Sequence, residues 1–201
     1  RMLISMREFL YLVKGDIAEM FHQVHILPED RSALRFLFTE KPFGKVHIYE
    51  SNVLIFGLVT SPYCSQYIKN LISYEFEQDF PEAAHIIRSQ IYVDDYVKTY
   101  KTIHEAQSRT YEVRTILKNA GFNLVKLKSN YEETLDLVKN YATAQELQNA
   151  KLFSQENVEK LLGYEIDFKN DTLSIKFPWN KFSKKLIRCE KRPTKKQVLK
   201  V

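Results

Sequence analysis

Gln90-Ile91-Tyr92-Val93-Asp94-Asp95-Tyr96-Val97-Lys98 is the stretch whose reading decides the fold. β-Branched and aromatic residues flank two adjacent acids on both sides, and such residues favour strands. The acids interrupt the apolar run, so the simplest shape is a hairpin with Asp94 and Asp95 at its tip. Two carboxylates this close repel each other unless a cation sits between or beside them. Hard divalent cations such as Mg²⁺ take oxygen ligands, typically one or two carboxylates together with substrate phosphates. Read alone, Asp-Asp is a polar turn, because Asp is common in turns. The rest of the chain supplies the context that makes the pair a candidate metal site.

The 201 residues suit one domain, or one plus an appendage, and an apolar fraction of 44% supports a real core. The net charge of +5 is compatible with a polyanionic partner without establishing one. Cys64 and Cys189 are too few for a disulfide framework or a zinc site, which points to a reducing compartment. His22 and His25 lack a third partner for zinc and read as solvent or core histidines. No apolar run reaches the roughly eighteen residues a membrane span needs. There is no signal peptide and no repeat. Both ends read as cuts through a longer protein.

Outward from the acid pair, Tyr11-Leu12-Val13 reads as a buried strand ending at Asp16, which puts a second carboxylate at a strand end. The competing reading is that Asp16 caps a following helical turn. Pro28-Glu29-Asp30-Arg31 opens a short helix. Arg35 to Phe38, Val46 to Tyr49 and Asn52 to Phe56 read as a β-meander with a turn at Lys41-Pro42-Phe43-Gly44-Lys45. After Gly57, Ser61 is a good N-cap and Pro62 a good first helical residue. The helix they open carries Tyr67, Ile68, Leu71, Ile72 and Phe76 as its expected buried face and ends near Pro81. Beyond the acids, Thr102-Ile103-His104-Glu105 has capping-box form, and Gly121 is a C′ glycine. The buried stripe between them is Ile103, Ala106, Val113, Ile116, Leu117 and Ala120. Phe122 to Lys128 alternates as a strand with lysines on one side, and 130–147 is polar and helix-prone. Leu161 to Phe168 and Leu173 to Phe177 form a hairpin turning at Asn170-Asp171. From Lys181 the chain reads as a basic linker or the start of another segment, with eight lysines and arginines up to Lys196.

The order of these features resembles reverse transcriptases: Asp16 with an aromatic residue five positions later, Phe56-Gly57, Ser61-Pro62, Tyr92-Val93-Asp94-Asp95, Gly121-Phe122 with lysines after it, and Leu162-Gly163-Tyr164. The stretch from Asp16 to Val24, then Pro28 to Arg31 and Leu34 to Leu37, looks most like the BEL/Pao group of long-terminal-repeat retrotransposons. Lys191 to Leu199 is similar to that group's polyprotein just past its polymerase palm. The resemblance implies an α+β polymerase palm with an antiparallel sheet, helices packed on one face and the acids on the open side. It implies a palm over 1–158, a primer-grip-like hairpin over 159–178 and a basic linker over 179–201.

By the same resemblance, Asp16, Asp94 and Asp95 are the catalytic carboxylates and the ligands of two Mg²⁺ ions, with Mn²⁺ as a substitute. Lys128 is the proton donor to pyrophosphate, with Lys126 the nearby alternative. Phe21, Phe56, Gly57, Ser61, Pro62 and Tyr92 surround the incoming nucleotide, and Leu162 and Gly163 hold the primer end. Phe21 without the resemblance is simply a core aromatic. Position 56 is Phe where retroviral relatives carry a polar residue. The implied partners are a primed RNA or DNA template, dNTP and the remaining polyprotein regions, namely fingers, RNase H and integrase. The implied setting is the cytoplasm, in retroelement particles. The family's fingers would precede Arg1, so this chain alone is expected to polymerise poorly. The reading from another class is a remnant that binds nucleic acid or a protein partner without catalysis.

Overall fold

The structure, a computed structural model, describes residues 2–136, 151–152, 158–161, 164–167 and 172–175. Its elements run in the order α1 (Met2–Ser5), β1 (Tyr11–Ile17), β2 (Arg35–Phe38), β3 (His47–Glu50), α2 (Ser61–Glu75), α3 (Pro81–Ser89), β4 (Ile91–Tyr92) and β5 (Asp95–Tyr100). Then come α4 (Ile103–Asn119), β6 (Leu124–Ser129), β7 (Lys151–Leu152), β8 (Val158–Leu161), β9 (Tyr164–Asp167) and β10 (Thr172–Ile175). Short 3-10 turns occupy Met20–Gln23, Pro28–Leu34 and Glu132–Leu135. The chain forms two compact units, Arg1–Leu152 and Phe153–Val201. Mixed helices and antiparallel sheets make the fold α+β, as the sequence implies.

The first unit is built on a five-stranded sheet in the order β4-β5-β1-β6-β7. Every pairing in it is antiparallel except β6 with β7, which is parallel. β1 is the central strand, and the period-two alternation of its side chains assigns its two faces. Val13 and Ile17 join the core, with Tyr96 and Tyr100 of β5 and Leu124 and Leu127 of β6. α3 contributes Ala83, Ile86 and Ile87 to the same core, and α4 contributes Ala106, Val113, Ile116 and Leu117. Burying each large aliphatic side chain among these stabilises the fold by about 1.5–3 kcal/mol. Leu12, Lys14 and Asp16 alternate with the core residues and belong to the opposite face. Gly15 faces the core side without a side chain for a steric reason. A Cβ there would lie 3.0 Å from both Leu124 Cδ1 and Leu127 Cδ2.

α4 begins as its sequence signals. The Thr102 hydroxyl accepts a hydrogen bond from the Glu105 N–H at 3.1 Å, and Glu105 Oε2 accepts one from Lys101 N–H at 3.1 Å. Gly121 takes φ +77°, the left-handed value a C′ glycine supplies without strain. The second unit holds the antiparallel sheet β10-β9-β8. Its β9–β10 pairing is the hairpin read from the sequence, and β8 adds a third strand. Leu162, Gly163, most of the helix-prone 130–147 segment and the basic 179–201 segment lie outside the described residues.

Four local expectations are corrected. The acid hairpin turns at Val93-Asp94, because Tyr92 pairs with Asp95 and Asp95 is already the first residue of β5. The expected meander is a two-stranded β2–β3 hairpin, and the Asn52–Phe56 stretch contributes only the single bridge of Val53 with His25. Residues 81–89, unassigned from sequence, form α3. Pro81 in the first turn, Glu82 beside it and Arg88 in the last turn are the start and stop signals that mark it.

The fourth correction concerns α2, whose N-cap is Thr60 rather than Ser61. Its fully buried positions are Ser61, Ser65, Lys69 and Ser73, spaced four apart; of the expected apolar face, Ile68, Ile72 and Phe76 pack partly buried against the core, while Tyr67 and Leu71 are exposed. Small side chains let α2 pack close to its neighbours, and each serine hydroxyl is satisfied. Ser61 donates to Ile55 C=O at 2.7 Å, Ser65 to Pro62 C=O at 3.1 Å and Ser73 to Asn70 C=O at 2.6 Å.

Lys69 is the costly member of that face. It is 1% exposed, and its ammonium donates to Ile87 C=O at 2.9 Å and to Ile91 C=O at 3.3 Å. It thereby ties α2 to the last turn of α3 and to β4. Loss of hydration pushes its pKa down to about 8. The native state therefore resists the charge, while the unfolded chain holds its proton to the ordinary lysine value. The stability penalty is full below pH 8 and is relieved as pH rises toward the unfolded value. Relative to Lys69→Met, the wild-type chain should gain stability above pH 8, by about 1.4 kcal/mol per pH unit at most. Urea denaturation of both proteins between pH 7.5 and 10 measures it, and parallel profiles would refute the charged-lysine reading.

Candidate active site

β1 and β5 bring two of the three acids together by register. Asp16 is the partner of Asp95, and Lys14 is the partner of Val97 two residues further along. Asp94 follows from the same ladder, because the Ile17 N–H donates to the Asp94 carbonyl at 2.8 Å. Ala18 N–H donates to Asn123 C=O at 2.9 Å on the other side, so the end of β1 is held from both flanks. Asp16, Asp94 and Asp95 thus meet at one end of two adjacent central strands.

The turn between β4 and β5 is strained. Two-residue hairpin loops need positive φ, and Val93 supplies it at +56°. A β-branched residue there costs on the order of 1–3 kcal/mol. Gln66 of α2 holds the turn, its side-chain amide donating to Val93 C=O at 2.8 Å. Behind the turn, the buried hydroxyls of Tyr96 and Tyr100 hydrogen-bond each other. Burial pushes the Tyr96 pKa up to about 12 and holds Tyr100 well above the ordinary tyrosine value, so both rings stay neutral supports for β5.

The electrostatics of the acids are mutual. The Asp95 pKa is raised, first by burial and then by the charges of Asp94 and Asp16, with Lys14 and Lys126 pulling it back. Lys126 pairs with Asp16, its Nζ lying 2.6 Å from Oδ2. Asp16, by its hydrogen bond and its charge, raises the lysine pKa, and Asp94 and Asp95 add to the effect. A β-bulge delivers this contact. Lys14 pairs with Lys128 and Asp16 with Val125, so Lys126 and Leu127 both stand opposite Gly15. Lys126 takes φ +52° at that bulge. Lys128, expected from sequence as the functional lysine, is the register partner of Lys14. Lys126, its alternative, has its ammonium at Asp16.

The remaining candidate residues are distributed unevenly. Phe21, in the Met20–Gln23 turn, is partly buried against the core, and its ring meets Phe56 edge-on at 5.2 Å. Phe56 is 70% exposed and also meets the His22 ring edge-on at 5.4 Å. Gly57 takes φ +92° in open space, a conformation glycine alone adopts freely. Pro62 and Tyr92 are exposed. Ser61 is buried, with its hydroxyl committed to Ile55. Sequence reading missed Lys14 and Gln66. Lys14 carried a usable signal, because two residues along a strand from Asp16 means the same face. Gln66 carried none, since only the packing of α2 brings it to the turn.

Among the described residues, no group of three Asp, Glu, His or Cys side chains is gathered tightly enough to hold a metal ion by itself. The donor chemistry nonetheless fits a hard cation. Mg²⁺ is bound through one or two carboxylates plus substrate phosphates, not by an all-protein cage. The Lys126 ammonium also shows that the end of β1 attracts positive charge. Among the described residues no helix is long and apolar enough to cross a membrane.

Residues 4–166 match the family model described as reverse transcriptase (RNA-dependent DNA polymerase). The chain belongs to that family. Among solved structures it is similar to the prototype foamy virus protease-reverse transcriptase, a CSH mutant, at 23% identity and a TM-score of 0.45. The match covers 61% of this chain and 14% of that one. No curated protein sequence matches.

The raised Asp95 pKa gives a stability prediction for the free protein. A carboxyl held above its ordinary value binds protons more readily in the native state, so its ionisation costs stability as pH rises past the ordinary value. Asp95→Asn removes that repulsion. It should raise the melting temperature at pH 7 by roughly 2–4 °C, with a smaller gain at pH 4. Differential scanning calorimetry at the two pH values reads this, and a lower melting temperature at pH 7 would contradict it.

Proposed function

We propose that this chain is the palm of an RNA-directed DNA polymerase of the BEL/Pao retrotransposon type. It would join a dNTP to a primer 3′-hydroxyl on an RNA or DNA template. The observation that carries the reading is the Asp16–Asp95 register with Asp94 at the adjoining turn, in a chain of the reverse transcriptase family. Asp16, Asp94 and Asp95 would hold two Mg²⁺ ions, with Mn²⁺ as a substitute. When bound, such ions stabilise the attacking and the leaving oxygens of the displacement. The chain's own part is positioning: β1 and β5 fix the carboxylates, and Gln66 and Lys69 fix the hairpin.

Lys126 is the better assignment than Lys128 for the proton donor to pyrophosphate, because its ammonium already stands at the carboxylates. Phe21 would pack against the sugar of the incoming nucleotide, leaving no room for a 2′-hydroxyl, the group that distinguishes RNA precursors. Phe56, Gly57, Pro62 and Tyr92 offer the exposed surface beside it, while Ser61 shapes the loop from within. Leu162 and Gly163 would hold the primer end. The remaining partners would be the other polyprotein regions, in cytoplasmic retroelement particles.

The test is primer extension by a preparation containing this chain. Asp94→Asn should lower extension by at least roughly a thousandfold, while template binding, resting on dispersed phosphate contacts, stays largely intact and weakens as salt rises. Extension that survives Asp94→Asn would refute the assignment. Template binding with no extension by the wild-type preparation would favour a binding remnant. Phe21→Val separates two roles for the ring. A sugar gate predicts ribonucleotide incorporation with modest change in dNTP use. A core aromatic predicts a loss of about 1–3 kcal/mol in stability and equal loss of both activities.

A further inference from the structure

Lys126 occupies its position against local preference. Its backbone is left-handed at φ +52°, and it stands in a bulge that gives β6 one residue more than β1. The result is an ammonium 2.6 Å from Asp16 Oδ2, on a side chain 68% exposed, against a carboxylate 27% exposed. The carboxylate is fixed on a central strand; the lysine stem is long and reaches in from solvent. Three acids meet here, and Lys14 is the other cation whose charge opposes theirs at Asp95. Lys14 stands in the ladder between Val97 and Lys128, and the Lys126 ammonium lies on Asp16.

We propose that Lys126 is the counter-ion of the metal-free acid site, and that a divalent cation arriving at Asp16 displaces it. This rests on the reading of Asp16, Asp94 and Asp95 as metal ligands. An ammonium at hydrogen-bond distance and a divalent cation repel strongly on one carboxylate. The ion of higher charge keeps the acids, and the lysine, exposed and weakly held as solvated pairs are, swings away. The displaced ammonium then points to the same opening that receives the triphosphate. Metal occupancy and availability of the lysine become one event, so a metal-free site presents no free proton donor to solvent anions.

The experiment is a Mn²⁺ titration of the 201-residue chain, reading the free aquo ion by electron paramagnetic resonance. Lys126→Met should bind Mn²⁺ roughly three- to tenfold more tightly than wild type, and Lys126→Arg should stay within about twofold of it. Equal or weaker binding by a folded Lys126→Met protein overturns the proposal. Asp94→Asn tests the underlying reading separately: Mn²⁺ binding unaffected by that change would remove the acid site itself. A second measurement needs no variant. Acetylation of Lys126 in the wild-type chain, quantified by mass spectrometry against the exposed Lys45, should rise when Mn²⁺ is added. Unchanged acetylation with Mn²⁺ bound overturns the displacement.

Discussion

The antiparallel ladder between β1 and β5 is the constraint on which the rest depends. It sets Asp16 opposite Asp95, and the Ile17–Asp94 hydrogen bond continues it by one step. Backbone hydrogen bonds therefore overcome carboxylate repulsion and crowd negative charge at one strand end. Everything nearby compensates. The core beneath β1 and β5 anchors the ladder through Val13, Ile17, Tyr96 and Tyr100, so the acids cannot relax apart without opening buried surface. The two lysines offset the charge from the open side.

α3 and α4 serve the core, and α2 serves the hairpin as well. α2 turns serines and a lysine inward, and from that region Gln66 and Lys69 reach the acid-bearing turn and its first strand. A helix with an apolar inner face would bury more hydrophobic area and supply neither hydrogen bond. Stability has been exchanged for a fixed geometry at Val93, a β-branched residue held at positive φ.

The sequence was most legible where short-range chemistry and periodicity agreed. The capping box at Thr102, the C′ glycine at 121, the α4 stripe and the strands around Asp16 and Asp94-Asp95 all follow from local preference. The errors share a cause: tertiary packing overrode the local signal. On α2 the stripe of Tyr67 and Leu71 outweighs the serines by hydrophobicity, yet close approach favoured the small residues. At the hairpin, alternation cannot tell a Val93-Asp94 turn from an Asp94-Asp95 turn, since Val is the less expected residue in a left-handed turn. The pairing of Lys126 with Asp16 was beyond sequence because it depends on the bulge, and a bulge is a property of two paired strands. The roles of Asp16, Asp94 and Asp95 came from the order of motifs along the chain, while their proximity depends on strand pairing that no one of those motifs specifies.

The bulge in β6 also lets this strand carry one residue that its core face does not need. Leu124 and Leu127 stand three apart, an odd spacing that would put them on opposite faces of a regular strand, and both reach the core because one additional residue is absorbed opposite Gly15. Removing Lys126 would leave Leu127 opposite Gly15 and every other partner in place, so both leucines would keep the core face and the ladder would become regular. What would go is the ammonium at Asp16. At this one position, then, the loss of a codon is neutral for the packing of the sheet and costs the strand its charge at the acids.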